Sequence, residues 1–280
     1  MEGNECYKFA TISHYIHLTH ADPVRVMIDI GANVGAVTRM MKAYFPSASL
    51  YACEAVDEYA ALAEANTRDL PGVTLWRRAV TSQHQYFDDV GERRRGRPVA
   101  IRTLKGLPAA GPGWAGGSIT VAEDAPAVSG VDPRYSLLPT PVEAVSLNDL
   151  VDEVLERAGA KEIDILKLDC EGCEHSSLGC ATLKTLRRLR FIVGEYHGVE
   201  RFYGVMERKL FRTHKVNLIG QRDLGAFFAE RLDGTSDGIL RFQKDGMLVP
   251  RPWLCDRPID WHLFDEQYVP PGERLWHALA

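Results

Sequence analysis

The chain has 280 residues, 45% of them hydrophobic, and a formal net charge of −5. That is enough for one large α/β core with a small appendage, and the net acidity argues against bulk attraction to nucleic acid. Met1 opens no secretory pattern, and no apolar run is long enough to cross a bilayer, so a cytoplasmic location is expected.

Phe9, Ile12 and Ile16 recur at near-helical spacing, which predicts a helix over Cys6 to His20. Residues 1–23 are therefore read as a helical segment able to close over a site. The run from Val24 to Ile30 is a compact Val/Ile/Met stretch, as suits a parallel strand buried on both faces. Gly31 and Gly35 then bracket a turn into a helix over Val37 to Tyr44. In an α/β protein a nucleotide-like ligand lies at the carboxyl end of that first strand. The spacing here is G-x-x-x-G with Asp29 two residues before the first glycine, not the G-x-G-x-x-G of a dinucleotide site. A carboxylate there repels a pyrophosphate and suits the cationic amino group of a methionine moiety.

The second strand, Ala48 to Glu54, ends on an acid nineteen residues beyond Gly35, where a carboxylate can accept both hydroxyls of an adenosine ribose. A helix over Val56 to Thr67 and a strand over Val73 to Val80 follow, with Ala79 and Val80 at the end of that strand. Such alternation indicates a parallel sheet. From Gln83 to Pro141 the pattern breaks into an irregular insertion carrying Arg93 to Arg95 and Trp114, with short strands predicted at Tyr86–Asp89, Val99–Leu104 and Ser118–Ala122. The basic run reads as a solvated face or a phosphate contact, and Trp114 as a stacking platform or a core plug.

Regularity returns with a strand over Val142 to Val145 and a helix capped by Ser146 that ends near Gly159. A strand from Ile163 to Asp169 leads into Cys170-Glu171-Gly172-Cys173-Glu174 and a further helix, then Arg190 to His197 forms the next strand. Asp169, Glu195 and His197 thus arrive at the sheet edge that holds Asp29 and Glu54. Cys6, Cys53, Cys170, Cys173, Cys180 and Cys255 are scattered, no second C-x-x-C completes a thiolate zinc site, and the thiols are read as small buried residues rather than a disulfide framework. Lys215–Gly220 and Gly238–Gln243 read as a closing antiparallel hairpin. Residues 247–280 form a proline- and aromatic-rich extension, suited to packing on the domain, to a homodimer contact or to a lid.

D-x-G-x-x-x-G resembles motif I of class I S-adenosylmethionine-dependent methyltransferases. The stretches V-S-L-N-D-L, I-D-I-L-K-L-D-C-E-G-C-E and F-I-V-G-E-Y-H are similar to the FkbM family of these enzymes over Val24 to Lys244 outside the insertion. The resemblance implies a Rossmann-like α/β fold, a seven-stranded mostly parallel sheet with an antiparallel last strand and helices on both faces, within a domain of residues 24–246. It further implies O-methylation of sugars, polyketides or related small molecules. By motif, Asp29, Gly31, Ala32, Asn33, Gly35, Glu54, Ala55, Ala79, Val80 and Asp169 are the candidates for holding S-adenosylmethionine. Asn148 stands for the family's usual Asp, and Ala55 for a frequent proline.

The sulfonium methyl is already electrophilic, so catalysis is mainly the positioning of an in-line nucleophile. A hydroxyl must still lose its proton, and His197, with an ordinary pKa of about 6.5, is the candidate base. Asp169, Glu171 and Glu195 are candidates to orient it or to take the proton themselves; Glu171 and Glu174 also suit the start of the following helix. Lys167 shares a strand face with Asp169 and suits a carboxylate pair. Asp169 and Glu195 near His197 also suit Mg²⁺, but two secure oxygen ligands do not define a metal site. N-methylation of an amino sugar or peptide, and a cofactor-binding protein without turnover, remain open beside O-methylation of a small-molecule acceptor.

Overall fold

The computed structural model describes residues 23–81, 98–104, 119–122, 135–137, 142–170, 173–220 and 224–232. The strands are β1 (Val26–Ile30), β2 (Ser49–Glu54), β3 (Val73–Thr81), β4 (Pro98–Leu104), β5 (Ile119–Ala122), β6 (Tyr135–Leu137), β7 (Val142–Ser146), β8 (Ile163–Leu168), β9 (Leu189–His197), β10 (His214–Gly220) and β11 (Leu224–Arg231). The helices are α1 (Ala36–Tyr44), α2 (Asp57–Thr67), α3 (Leu147–Ala158), α4 (Cys173–Cys180), α5 (Leu183–Leu186) and α6 (Val199–Arg208).

The strands join in the order β10-β11-β9-β8-β1-β2-β3-β7-β4-β5, with β6 paired to β4. β1, β2, β3, β7, β8 and β9 run parallel, and β11 lies antiparallel between β9 and β10. The fold is thus the expected Rossmann-like α/β sheet, with one correction to its size. The seven strands β10 to β3 do not end it. β7 pairs in parallel with β3 through Ala79↔Ala144 and Val80↔Val145, and β4, β5 and β6 add antiparallel strands beyond. The partner of β10 is Leu224–Arg231, and Gly238–Gln243 lies outside the described residues. So do the predicted Cys6–His20 helix, the Tyr86–Asp89 strand, Arg93 to Arg95, Trp114 and the C-terminal extension.

Alternation along the parallel strands feeds two cores. Ile28, Ile30, Leu166, Leu168, Ile192 and Tyr196 pack with α3, α4 and α6 on one face, while Met27, Ile165, Phe191 and Val193 meet Met41 and Phe45 of α1 and its end on the other. β1 and β8 are buried throughout and β9 over six of its nine residues, which explains why all three read as largely apolar runs. Ser146 caps α3 as predicted: its hydroxyl accepts from the Asp149 amide at 3.2 Å and donates to Asp149 Oδ2 at 2.7 Å, and Gly159 ends the helix in a left-handed conformation. Asn148 Oδ1 accepts from the Thr182 amide at 2.9 Å and the Thr185 hydroxyl at 2.6 Å, tying α3 to α5. Both of these contacts use Asn148 Oδ1 as the acceptor, a role that a carboxylate also fills.

The chain passes from β1 to β2 and β3 on one side, then to β8 and β9 on the other. The crevice between β1 and β8 is therefore the switch point where open α/β sheets bind ligands.

Candidate functional site

Three backbone contacts build the turn after β1. The Gly31 and Ala32 amides both donate to Cys53 O, at 2.9 and 3.0 Å, and the Gly35 amide closes on Ala32 O at 2.8 Å. Gly31 has φ 77° and Gly35 φ 83°, and Asn33 also takes a left-handed φ of 51°. The Asp169 amide donates to Ile30 O at 3.1 Å, and the Asp169 carbonyl fills the space where a Gly31 Cβ would stand, 1.8 Å from it. Only glycine lets the end of β8 approach the turn this closely.

Lys167 organises the same turn from beneath. Its ammonium lies 3.0 Å from Asp29 Oδ1, donates to Gly31 O at 2.7 Å, and reaches to 3.8 Å from Asp169 Oδ2. Burial alone would lower the ammonium's pKa, but the Asp29 and Asp169 charges outweigh it and the net shift is upward. The second Asp29 oxygen accepts from the Thr38 hydroxyl at 2.6 Å. Asp29 is completely buried, so its carboxylate is engaged by this chain's own Lys167 and Thr38. The expected Lys167–carboxylate pair is present, and it answers the charge on Asp29 from within the fold.

Glu54 ends β2 nearly buried. Its Oε2 accepts from the Asn33 amide and its Oε1 from the Val56 amide, each at 2.8 Å, and the Ala55 amide contributes as well. A proline at position 55 would have no amide to give. Burial pushes the Glu54 carboxyl above the ordinary glutamate value, against the pull of those amides and of Lys167. Three amides on about four lone-pair sites leave the carboxylate one acceptor site for a further donor. Asn33 Oδ1 is buried and has no hydrogen-bond partner among the described residues, a polar orphan at the tip of the turn. Ala79 and Val80 are buried near the end of β3, and Ala55 is half-buried beside Glu54.

On the other side of the crevice, Leu168 pairs with Gly194, so Asp169 and Glu195 follow one another on neighbouring strands. Gly194 also lacks room for a Cβ, which would stand 2.2 Å from Leu168 O. Glu195 is buried and Asp169 partly exposed. His197 meets Glu174, in the first turn of α4. Glu174 Oε1 accepts from His197 Nδ1 at 2.9 Å and from the His197 amide at 3.1 Å. His175 Nε2 donates to His197 O at 2.6 Å, so consecutive residues of α4 hold both the ring and the backbone of His197.

Glu174 is 1% exposed and the His197 side chain 29%. Burial works to raise the Glu174 carboxyl, but the His197 hydrogen bond and charge prevail and its pKa is lowered. Glu171 lies outside the described residues. Sequence reading treated Glu174 only as a helix-start acid; the signal that finds it is its place at N2 of a helix whose start abuts the end of β9.

Among the described residues no three His, Cys, Asp or Glu side chains are grouped to hold a metal ion. The cysteine reading needs a second correction: Cys170 and Cys173 are joined as a disulfide, while Cys53 is buried and Cys180 half-buried, both unbonded. No helix among the described residues is long and apolar enough to cross a membrane.

A comparison with curated proteins finds no significant match. Among solved structures, the chain is similar to an O-methyltransferase from Bacillus cereus in complex with SAH, at 10% identity, 81% of each chain covered and a TM-score of 0.43. It is also similar to a magnesium protoporphyrin IX methyltransferase from Synechocystis with bound SAM, at 7% identity, 81% of this chain and 80% of that chain covered, TM-score 0.40. A precorrin-6y C5,15-methyltransferase from Geobacter metallireducens matches at 12% identity over 80% of this chain and 87% of that chain, TM-score 0.40. The methyltransferase FkbM domain model matches residues 29–217, a span that opens on Asp29 and takes in Gly31, Glu54, Lys167, Glu174 and His197. On that match the chain belongs to the FkbM family of S-adenosylmethionine-dependent methyltransferases.

Proposed function

We propose that this methyltransferase acts on a hydroxyl oxygen of a small-molecule acceptor, of the sugar, glycosylated or polyketide type, with His197 as the base. The observation that carries the proposal is the Glu174–His197 contact. A carboxylate held ionised offers His197 Nδ1 only acceptors, so the neutral imidazole keeps its proton on Nδ1 and its lone pair on Nε2. That is the tautomer a general base needs, and Glu174 stabilises the imidazolium once the proton has moved. The acceptor's O–H bond breaks toward His197 Nε2 as its oxygen takes the methyl group.

S-adenosylmethionine supplies a methyl group on a sulfonium that needs no further activation. The residues present fit it: Glu54 has an acceptor site to spare for a ribose hydroxyl, Asn33 Oδ1 lacks a partner among the described residues, and Asp169 brings a partly exposed carboxylate to the crevice. Gly31, Ala32 and Gly35 shape the turn around it, Ala55, Ala79 and Val80 line the side expected for adenine, and Asp29 acts through Lys167. Asp169 and Glu195 keep the crevice acidic, which suits a cationic donor.

The test is an acceptor screen with S-adenosylmethionine followed by kinetics of His197→Ala and Glu174→Gln. An O-methyltransferase of this kind loses about a hundredfold or more in kcat with His197→Ala while binding S-adenosylmethionine as before. Retention of most activity by His197→Ala would point to an amine acceptor, which needs less help from a base.

A further inference from the structure

The two halves of the site are joined through a pair of cysteines. Cys170 directly follows Asp169, and Cys173 opens α4 one residue before Glu174. Their sulfurs are bonded, their Cα atoms are 5.3 Å apart, and the Cys173 amide donates to Cys170 O at 3.3 Å. Both residues are half-buried, within reach of an attacking thiol, whereas Cys53 is sealed in the core. On the Cys170 side, the Asp169 carbonyl sits in the gap left by Gly31 and its amide is tied to β1. On the Cys173 side, Glu174 and His175 fix His197. Any relative movement of Cys170 and Cys173 therefore acts on the contact that shapes the cofactor turn and on the contact that holds the proposed base.

We propose that Cys170–Cys173 is a thiol–disulfide exchange site, taking small-molecule thiols of the glutathione class, whose redox state sets the affinity of the adjoining S-adenosylmethionine site. The inference rests on the reading of that site given above. An incoming thiolate attacks one cysteine sulfur, the Cys170–Cys173 bond breaks, and the other sulfur leaves as a thiolate that takes up a proton. A second thiol then attacks the mixed disulfide. Two thiols leave as one small disulfide, and the protein retains two reduced cysteines. The sulfurs lie at the start of α4, where the helix dipole favours the leaving thiolate. With the bond gone, Cys170 and Cys173 are no longer held at a fixed separation, and binding must restore it. The loop-closure entropy of so small a ring corresponds to a factor of about twenty, a ceiling for the change in affinity.

The experiment uses the full chain. It is equilibrated in mixtures of reduced and oxidised glutathione, alkylated, and the 170–173 peptide is resolved from the other cysteines by mass. S-adenosylmethionine binding is measured by calorimetry on the fully oxidised and fully reduced protein. The expected result is one dithiol-to-disulfide transition of this pair, with affinity weakened about three- to twentyfold on reduction and restored on reoxidation. A Cys170→Ser, Cys173→Ser chain should bind at the reduced value in both buffers; should it fail to fold, the reversible change in the native chain still decides. Equal affinity in both states, or a pair that remains reduced in every mixture, overturns the inference and leaves the methyltransferase site intact. Absence of binding in both states overturns the reading of the site and the inference with it.

Discussion

Lys167 and Asp29 face each other across adjacent parallel strands, in register, with the ammonium 3.0 Å from the carboxylate and both side chains almost closed to solvent. The third and fourth members of this cluster are the Gly31 carbonyl and the Thr38 hydroxyl. The acid of the D-x-G-x-x-x-G motif therefore builds the turn rather than presenting a bare charge to the ligand.

Loss of the lysine should leave a buried carboxylate unanswered. Lys167→Met is expected to cost about 3–5 kcal/mol, and adding Asp29→Asn should restore much of that, because the double variant buries no lone charge. Urea unfolding of the two single variants and the double variant gives the coupling. Costs that simply add would show that the two side chains are not a functional pair.

Glu54 behaves differently, because its oxygens already serve the backbone and yet keep one acceptor site open. Glu54→Gln replaces one acceptor by an N–H group facing the Asn33 or Val56 amide, and it removes the charge that would receive ribose hydroxyls. S-adenosylmethionine affinity should fall by about ten- to a hundredfold, the range of one or two charge-assisted hydrogen bonds. Asp29→Ala should instead act first on stability. Calorimetry with thermal melts in parallel separates the two; a Glu54→Gln chain that binds as the native one does would remove Glu54 from the site.

The parts of this fold that were legible in the sequence are those carried by local pattern. The apolar runs of β1, β8 and β9, the glycines of the turn, the acid ending β2 and the Ser146 cap all announce themselves within a few residues. What stayed hidden depends on chain segments meeting at a distance. Nothing in Val142–Ser146 says that it extends the sheet at β3, since strand pairing has no code within one strand. Leu224–Arg231 is a short apolar run that fits helix or strand equally, and the β9 edge decides it. Glu174 stands 23 residues before His197, so its role follows only from the packing of α4 beside the end of β9.

The crowding at Gly31 can be set against a glycine with the same handedness and open surroundings. Gly159 ends α3 at φ 60° with nothing within 4 Å of an added Cβ, so Gly159→Ala should cost about 1–2 kcal/mol, the left-handed penalty alone. At Gly31 the Cβ would also stand 1.8 Å from Asp169 O, and neither backbone can give way without parting β1 from β8. Gly31→Ala should cost well over twice as much as Gly159→Ala in urea unfolding. Similar costs would mean that the Asp169 contact relaxes freely and does not fix the crevice.

His214 offers a test by pH that lies apart from the site. It is fully buried at the start of β10, Nε2 donating to Leu189 O at 2.9 Å and Nδ1 accepting from the Thr213 hydroxyl at 2.7 Å. Burial, aided by the Arg231 charge and opposed by the Leu189 hydrogen bond, lowers its pKa to about 4. A histidine whose folded pKa lies below its unfolded one is protonated more readily in the unfolded chain, so stability declines as the pH falls from about 6.5 toward about 4. Between about pH 7.5 and about pH 5 this one group should remove about 2 kcal/mol. His214→Gln keeps a donor for Leu189 O and cannot titrate, so its urea midpoint should depend less on pH than that of the native chain by the same amount. An identical pH dependence in both chains would show that His214 takes up its proton in the fold without strain, and that its two hydrogen bonds rearrange to allow it.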